Sequence, residues 1–228
     1  MERWPRWGFW KSFHWLKAQD YPWNHKRVWR IYCTMKLNLP RRKKRAVLTC
    51  ERQPWVVLPL VNQSWSLDLM QDALYSGKRF RVLNILDEGV RECLAIEVDT
   101  SLPAARVVRV LERIRIWRGT PKQLRLDNGP ELTSACLTAW CQHHHIELVY
   151  IQPGKPNQNA YIERFNRTFR YEVLNAHLFS SLHEVRDIAW NWLIDYNEQR
   201  PHDALKGMTP AAFRDKVSAE NSSLAVCA

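Results

Sequence analysis

The sequence predicts an α/β protein, a five-stranded mixed sheet flanked by helices and preceded by a small two-helix module. Three observations carry this. At 228 residues and 46 % hydrophobic, the chain is long enough for one ordinary core plus a small accessory unit. Three consecutive strand-like segments are followed by alternating helical and strand patterns. The basic residues are concentrated at the front, ahead of the mixed α and β region.

In the opening segment Phe9, Phe13 and Leu16 recur at helical spacing, "DYPWN" breaks the helix, and Asn24 is placed to cap a second one. In that second helix Val28, Ile31, Tyr32 and Met35 follow the i, i+3, i+4, i+7 pattern of a buried stripe, while Lys26, Arg27, Arg30 and Thr34 project elsewhere. Two short helices around a tight turn, the second basic, suggest a helix-turn-helix reader of DNA, and a solvated basic helix in a small bundle has the same spacing. From Ser64, "WSLDLM" alternates like a strand, and "RFRVLNILDE" and "RECLAIEV" read as two more. Residues 103–117 form a helix with Val107, Val110, Leu111 and Ile114 on one face. "KQLRLD" is a fourth strand, Pro130 opens a helix to about His143, and "IELVYI" is a fifth strand. The loop "QPGKPNQ" leads into a long helix over 159–176 with Ile162, Phe165, Phe169 and Val173 as its apolar stripe, and a last helix covers 182–196. Three strands followed by helix, strand, helix, strand, helix is the order of a ribonuclease-H-like domain. The boundaries expected are 1–39 for the helical module, 40–63 for a basic linker, 64–216 for the sheet domain with its C-terminal helices, and 217–228 for a tail.

The net charge of +11 is informative once located. Residues 1–60 hold 14 Lys and Arg against 3 Asp and Glu, whereas residues 61–228 hold 20 against 20. A basic segment on a neutral domain points to a polyanion partner, most often nucleic acid. Arg41, Arg42, Lys43, Lys44 and Arg45 are five cations in succession, read as a strap that tracks phosphates or, in the bland alternative, a soluble tether. The six cysteines lack the spacing of a disulfide framework and are read as reduced thiols. Cys136, Cys141 and His143–His145 are read as a helix end with a polar cap, not a zinc site. No apolar run approaches the ~18 residues of a membrane span, and no secretory leader opens the chain, so a soluble, cytoplasmic protein is expected.

Three carboxylates stand in unusual places. Asp68 is in the middle of the first strand, Asp127 ends the fourth just before "NGPE", and Glu163 is near the start of the long helix. In such a sheet the first and fourth strands are neighbours, and the helix after the fifth lowers Glu163 toward them. Acids that close repel unless cations sit among them, and oxygen ligands without Cys or His select Mg²⁺ or Mn²⁺. Two such ions serve in-line phosphoryl displacement.

Thirty-five residues separate Asp127 from Glu163. That spacing, with "LRLDNGPE", "IQPGKPNQNAYIERFNRTFR" and "YNEQRPHDAL", resembles the retroviral-integrase-type core of DDE transposases. More narrowly, it resembles the second-frame product of the third family of bacterial insertion sequences. The likeness covers nearly the whole chain, because residues 8–42 resemble the helix-turn-helix module ahead of that core. The resemblance implies that Asp68, Asp127 and Glu163 are the catalytic, metal-binding acids, with two Mg²⁺ ions for which Mn²⁺ may substitute. It implies Lys155, Gln158, Asn159, Asn166 and Arg167 as DNA contacts beside Lys26, Arg27, Arg30 and the Arg41–Arg45 run. Asn197, Arg200 and His202 would pin the last helix. The implied partners are double-stranded DNA at element ends and at the target, further copies of the chain on DNA, and a first-frame partner or fusion, in a bacterial nucleoid-associated setting. Further helices usually precede the "WGFW" equivalent in that family, which leaves a catalytically silent DNA-binding remnant, acting as repressor or competitor, as one alternative, and fold alone leaves a structure-selective nuclease as another.

Overall fold

A computed structural model of the chain describes residues 7–38, 58–152 and 159–226. The module is α1 (Phe9–Ala18) and α2 (His25–Thr34). As its residue type predicts, Asn24 caps α2, its side chain accepting from the Lys26 N–H at 2.9 Å. Phe9 meets Trp29 and Tyr32 edge-on at 4.8 and 5.6 Å, and the Tyr32 hydroxyl donates to the Trp7 carbonyl. Of the α2 stripe, Val28 and Tyr32 are buried, but Ile31 and Met35 are 47 % and 61 % exposed. Two short helices do not enclose all four side chains, and the outer pair lines an open apolar groove with Trp15 and Leu37.

The sheet begins as an antiparallel meander of β1 (Ser64–Ala73), β2 (Arg79–Asp87) and β3 (Glu92–Asp99). α3 (Ala104–Arg118) crosses to β4 (Gln123–Leu126), parallel to β1, and α4 (Ala135–His143) crosses to β5 (Glu147–Tyr150), parallel to β4. The order β3-β2-β1-β4-β5 follows from chain connectivity: hairpins join antiparallel neighbours, while parallel ones need a helical crossover. This is the ribonuclease-H-like sheet expected. On one face Trp65, Leu67, Leu83, Ile85, Leu124 and Leu126 pack against the inner stripe of α3. On the other, Met70, Val82 and Leu86 pack against Ile162, Phe165 and Phe169 of α5 (Ala160–Phe169) and against α6 (Leu182–Ile194).

Three boundaries differ from the expected ones. α4 starts at Ala135, not Pro130, because Ser134 caps it and residues 130–133 form a turn whose Leu132 and Thr133 amides donate to the Gly129 carbonyl. α5 passes into a π-helical turn at Arg170–Leu174, and a similar turn, Asp195–Gln199, follows α6. A further helix, α7 (Pro210–Val226), runs through the segment expected to be a tail. Arg214 of α7 pairs with Glu92 at the start of β3, which ties the helix to the sheet. Among the described residues no helix is long and apolar enough to cross a membrane.

The module sits on the core. The Trp15 indole donates to Gln199 Oε1 at 3.4 Å, and the His14 ring lies so close to Gly207 that a Cβ there would come within 2.8 Å of Nδ1. Gly207 also has φ +81°, so both space and backbone conformation demand glycine where α1 docks.

Candidate active site

β1 runs beside β4 from Ser64 opposite Gln123 to Ser66 opposite Arg125. The same register carried two residues further brings Asp68 level with Asp127. The strand period of two puts Asp68 on the face it shares with Ser66 and Met70, under α5. Glu163 lies in the first turn of α5 and is exposed at the rim. The Asp68 carboxyl is pushed up to about 6, first by burial and further by the charges of Asp127 and Glu163, so the three acids share one field. Hydrogen bonds from the Leu69 N–H and from Asn166 act in the opposite direction.

Each sheet acid is held by a donor. Asp68 accepts from the Leu69 N–H at 2.8 Å and from Asn166 Nδ2 at 2.6 Å, and Asn84 Nδ2 donates to Asn166 Oδ1 at 2.7 Å. Asn84 is fully buried in the middle of β2, so it anchors Asn166, which in turn fixes Asp68. Asp127 Oδ1 accepts from the Gly129 N–H at 2.9 Å, closing the "DNG" turn. Glu131 of the same loop pairs with Arg81 on β2. Below the acids, Arg125 and Glu88 form an ion pair at 3.0 Å with side chains 1 % and 0 % exposed. Three carboxylates without Cys or His are a donor set suited to a hard divalent cation. Among the described residues no three His, Cys, Asp or Glu side chains are already gathered closely enough to hold a metal, as mutual repulsion would dictate.

The structure redistributes the other candidate residues. Arg167 is exposed one turn beyond Glu163, and Lys26, Arg27 and Arg30 are exposed on α2. Asn166 is not at the surface: it is 7 % exposed, with its amide committed to Asp68 and Asn84. Asn159 is likewise buried, at 4 % exposure, because the start of α5 is pressed against the sheet. Arg41, Arg42, Lys43, Lys44, Arg45, Lys155 and Gln158 lie outside the described residues. Asn197 pins its helix to β3, with its side chain accepting from the Cys93 N–H at 2.9 Å and donating to the Cys93 carbonyl at 2.8 Å. Arg200 grips Glu172 at 2.5 and 2.8 Å.

Sequence reasoning missed Asn84, although a lone amide inside "RVLNILD" is a signal, since a buried side-chain amide needs partners. Asn166→Leu should strand the Asn84 amide and release Asp68. Denaturant unfolding should show a loss of about 1–3 kcal/mol. Were Asp68 to hold a metal ion, loss of the group that orients it should lower metal-dependent activity about 10–100-fold. Unchanged rates in a folded variant would remove Asn166 from the site.

Comparison with known proteins follows this geometry. Two integrase core domain models match residues 59–156 and 144–210, and an HTH-like domain model matches residues 1–45. The chain is 42 % identical over 193 residues to a 31.7 kDa protein of insertion element IS407 from Burkholderia multivorans, covering 85 % of this chain and 70 % of that one. It is 39 % identical over 222 residues to a 39.2 kDa protein of insertion element IS476 from Xanthomonas euvesicatoria, covering 97 % of this chain and 64 % of that relative. The chain thus spans about two thirds of the length of these relatives. Among solved structures, the HTLV-2 integrase catalytic core in complex with magnesium superposes with a TM-score of 0.56 at 17 % identity, covering 69 % of this chain and 99 % of that one. The catalytic core of BIV integrase gives 0.55 at 18 % identity, covering 71 % and 99 %. These structures share the fold, and the insertion-element relatives narrow it: the chain belongs to the third-family type of insertion-element transposases, built on an integrase core behind an HTH-like module.

Proposed function

We propose that this chain cuts DNA at the ends of an insertion element and joins the freed strand to a target duplex. The observation that supports the reading is the β1–β4 register, which carried two residues on brings Asp68 level with Asp127 on the sheet face covered by the helix that bears Glu163. These three residues would hold two Mg²⁺ ions, with Mn²⁺ able to substitute. When bound, the ions activate an attacking oxygen and offset charge on the leaving oxygen of an in-line displacement. The protein supplies position. Asn84 and Asn166 fix one oxygen of Asp68, and the Gly129 N–H fixes one oxygen of Asp127. Arg167, exposed beside Glu163, contacts the backbone of the bound end.

The helical module and the basic linker would supply most of the DNA affinity, as the location of the charge suggests. Neutralising Arg41, Arg42, Lys43, Lys44 and Arg45 together should lower the slope of log affinity against log salt by up to about 4.5, since each phosphate contact contributes about 0.9. An unchanged slope would make the run a tether. Copies of the chain would assemble on the two ends, with a first-frame partner or fusion adding recognition.

The deciding experiment incubates the protein with Mg²⁺ and a duplex carrying the element's end. Joined products support the transposase, cleavage without joining supports a nuclease, and end binding without either supports a silent DNA-binding relative.

A further inference from the structure

On the flank of α5 away from the acids, a cavity of about 90 Å³ opens between the helical module and the core. Four cations line it: Lys11 from α1, Arg91 from the β2–β3 turn, Arg164 from α5 and Arg200 from the segment after α6. Three carboxylates act on the same groups, Glu172 and Asp203 on Lys11 and Glu88 on Arg91, and Glu88 is already paired with Arg125 at 3.0 Å. Glu172 is already gripped by both Nη atoms of Arg200 at 2.5 and 2.8 Å, and Asp203 is exposed at the rim. The excess is therefore positive and enclosed.

Its cations are crowded and partly buried. Burial, then the Arg200 charge, lowers the Lys11 ammonium to about 8. Burial also lowers the Arg91 guanidinium, whose carbon sits 3.5 Å above the Tyr161 ring. Among the described residues, two buried polar atoms of the lining side chains, Arg91 Nη1 and His202 Nε2, have no hydrogen-bond partner. A buried donor without an acceptor and clustered like charges are both costly, and an oxyanion relieves both at once. The hydroxyl of Thr168, which donates to the Arg164 carbonyl at 3.0 Å, is a further polar atom at the wall. A single water needs only about 10–15 Å³ of such space, so the cavity admits a group of several heavy atoms.

We propose that this cavity binds a phosphate group, supplied by a DNA backbone, and that Lys11 and Arg164 grip it from the module and the core together. Glu163 and Arg164 are adjacent on α5, so one helix would carry an acid toward the reacting phosphate and a cation toward a second phosphate. Occupancy would lock α1 against the core. The source of the phosphate rests on the DNA reading above, whereas the cavity's affinity for a phosphate group does not.

The test uses the full chain and two variants, Arg164→Ala, at an exposed position, and Lys11→Met, which keeps the apolar stem. In the first arm, duplex affinity is measured across salt concentrations, together with interference by ethylated phosphates. The expected result for each variant is about a tenfold loss of affinity at moderate salt and a salt slope lower by about 0.9. One phosphate whose ethylation weakens binding of the parent should become silent in the variant. In the second arm, inorganic phosphate is titrated at constant ionic strength and the unfolding temperature recorded without DNA. A phosphate-dependent rise seen in the parent and lost in Arg164→Ala supports the cavity even if the chain bound no DNA. A rise without any change in the DNA arm would assign the cavity to free phosphate and overturn the backbone source. Variants indistinguishable from the parent in both arms would overturn the proposal and reduce the cluster to packing between module and core.

Discussion

Asp127→Asn and Glu163→Gln should each lower metal-dependent strand cleavage and joining by about a thousandfold or more while leaving duplex affinity within about twofold. Each substitution preserves size and removes a charge that the proposed metal site requires. Binding should survive because the excess basic charge lies in the first 60 residues, which hold 14 Lys and Arg against 3 acids. The Asp127 variant is informative in a second way. Its side-chain oxygen can still accept from the Gly129 N–H, so the "DNG" turn should stay closed and the loss should be chemical, not structural. Cleavage and joining assays on an end-bearing duplex, with a circular dichroism check of folding, measure this. Joining at the parent rate by either variant would mean that the acid is not a ligand.

Glu88→Ala should be strongly destabilising. It removes the carboxylate paired with Arg125, whose side chain is 1 % exposed, and so takes the countercharge from a cation buried on β4. Stranding one member of such a pair costs about 3–5 kcal/mol. For a domain of this size the unfolding temperature should fall by roughly 10 °C, at about 2–4 °C per kcal/mol. A double change, Glu88→Leu with Arg125→Met, should recover much of that loss, because replacing both charges removes the desolvation cost as well as the attraction. Calorimetry on the two variants decides the point. Equal stability of parent and Glu88→Ala would show that water reaches the pair. Arg125 lies two residues before Asp127, so a folded Glu88→Ala protein should also lose activity through a displaced β4.

The sheet was legible because strand and helix periods differ and because its connectivity leaves few arrangements. Asp68 and Asp127 stand out in the sequence because a carboxylate inside one strand and another at a strand's end have no packing reason to be there, and the β1–β4 register carried two residues on brings them level. Asn166 was misplaced for a geometric reason. At about 100° per residue it lies between Glu163 and the buried Ile162, Phe165 and Phe169 stripe, so spacing alone does not distinguish the outer face from the inner border. Only the position of Asn84 on β2 settles it. The α2 stripe was half right because periodicity names an apolar face but not whether enough neighbours exist to cover Ile31 and Met35. The cation cavity was invisible in the sequence, since Lys11, Arg91, Arg164 and Arg200 are brought together only by tertiary contacts among a helix, a turn and two distant segments. α7 escaped notice because its apolar residues form no sharp stripe, and its link to the sheet runs through Arg214 and Glu92.

The pH dependence of Asp68 links the geometry to the chemistry. Burial first, then the neighbouring acids, push its carboxyl up from the ordinary 3.8 to about 6, so the folded protein should bind this proton more tightly than the unfolded chain does. The stabilisation from that proton is complete below pH 3.8 and is lost as pH rises through 6. Asp68→Asn should therefore unfold at a higher temperature than the parent at pH 8 and show little difference at pH 4. The most direct measurement is the titration of the Asp68 carboxyl by carbon NMR, with and without Mg²⁺. The account predicts a value near 6 without the ion, a marked fall when Mg²⁺ is added, and loss of that response in Asp127→Asn. A carboxyl titrating at its ordinary value, or one indifferent to Mg²⁺, would contradict the claim that these three acids form a divalent-cation site.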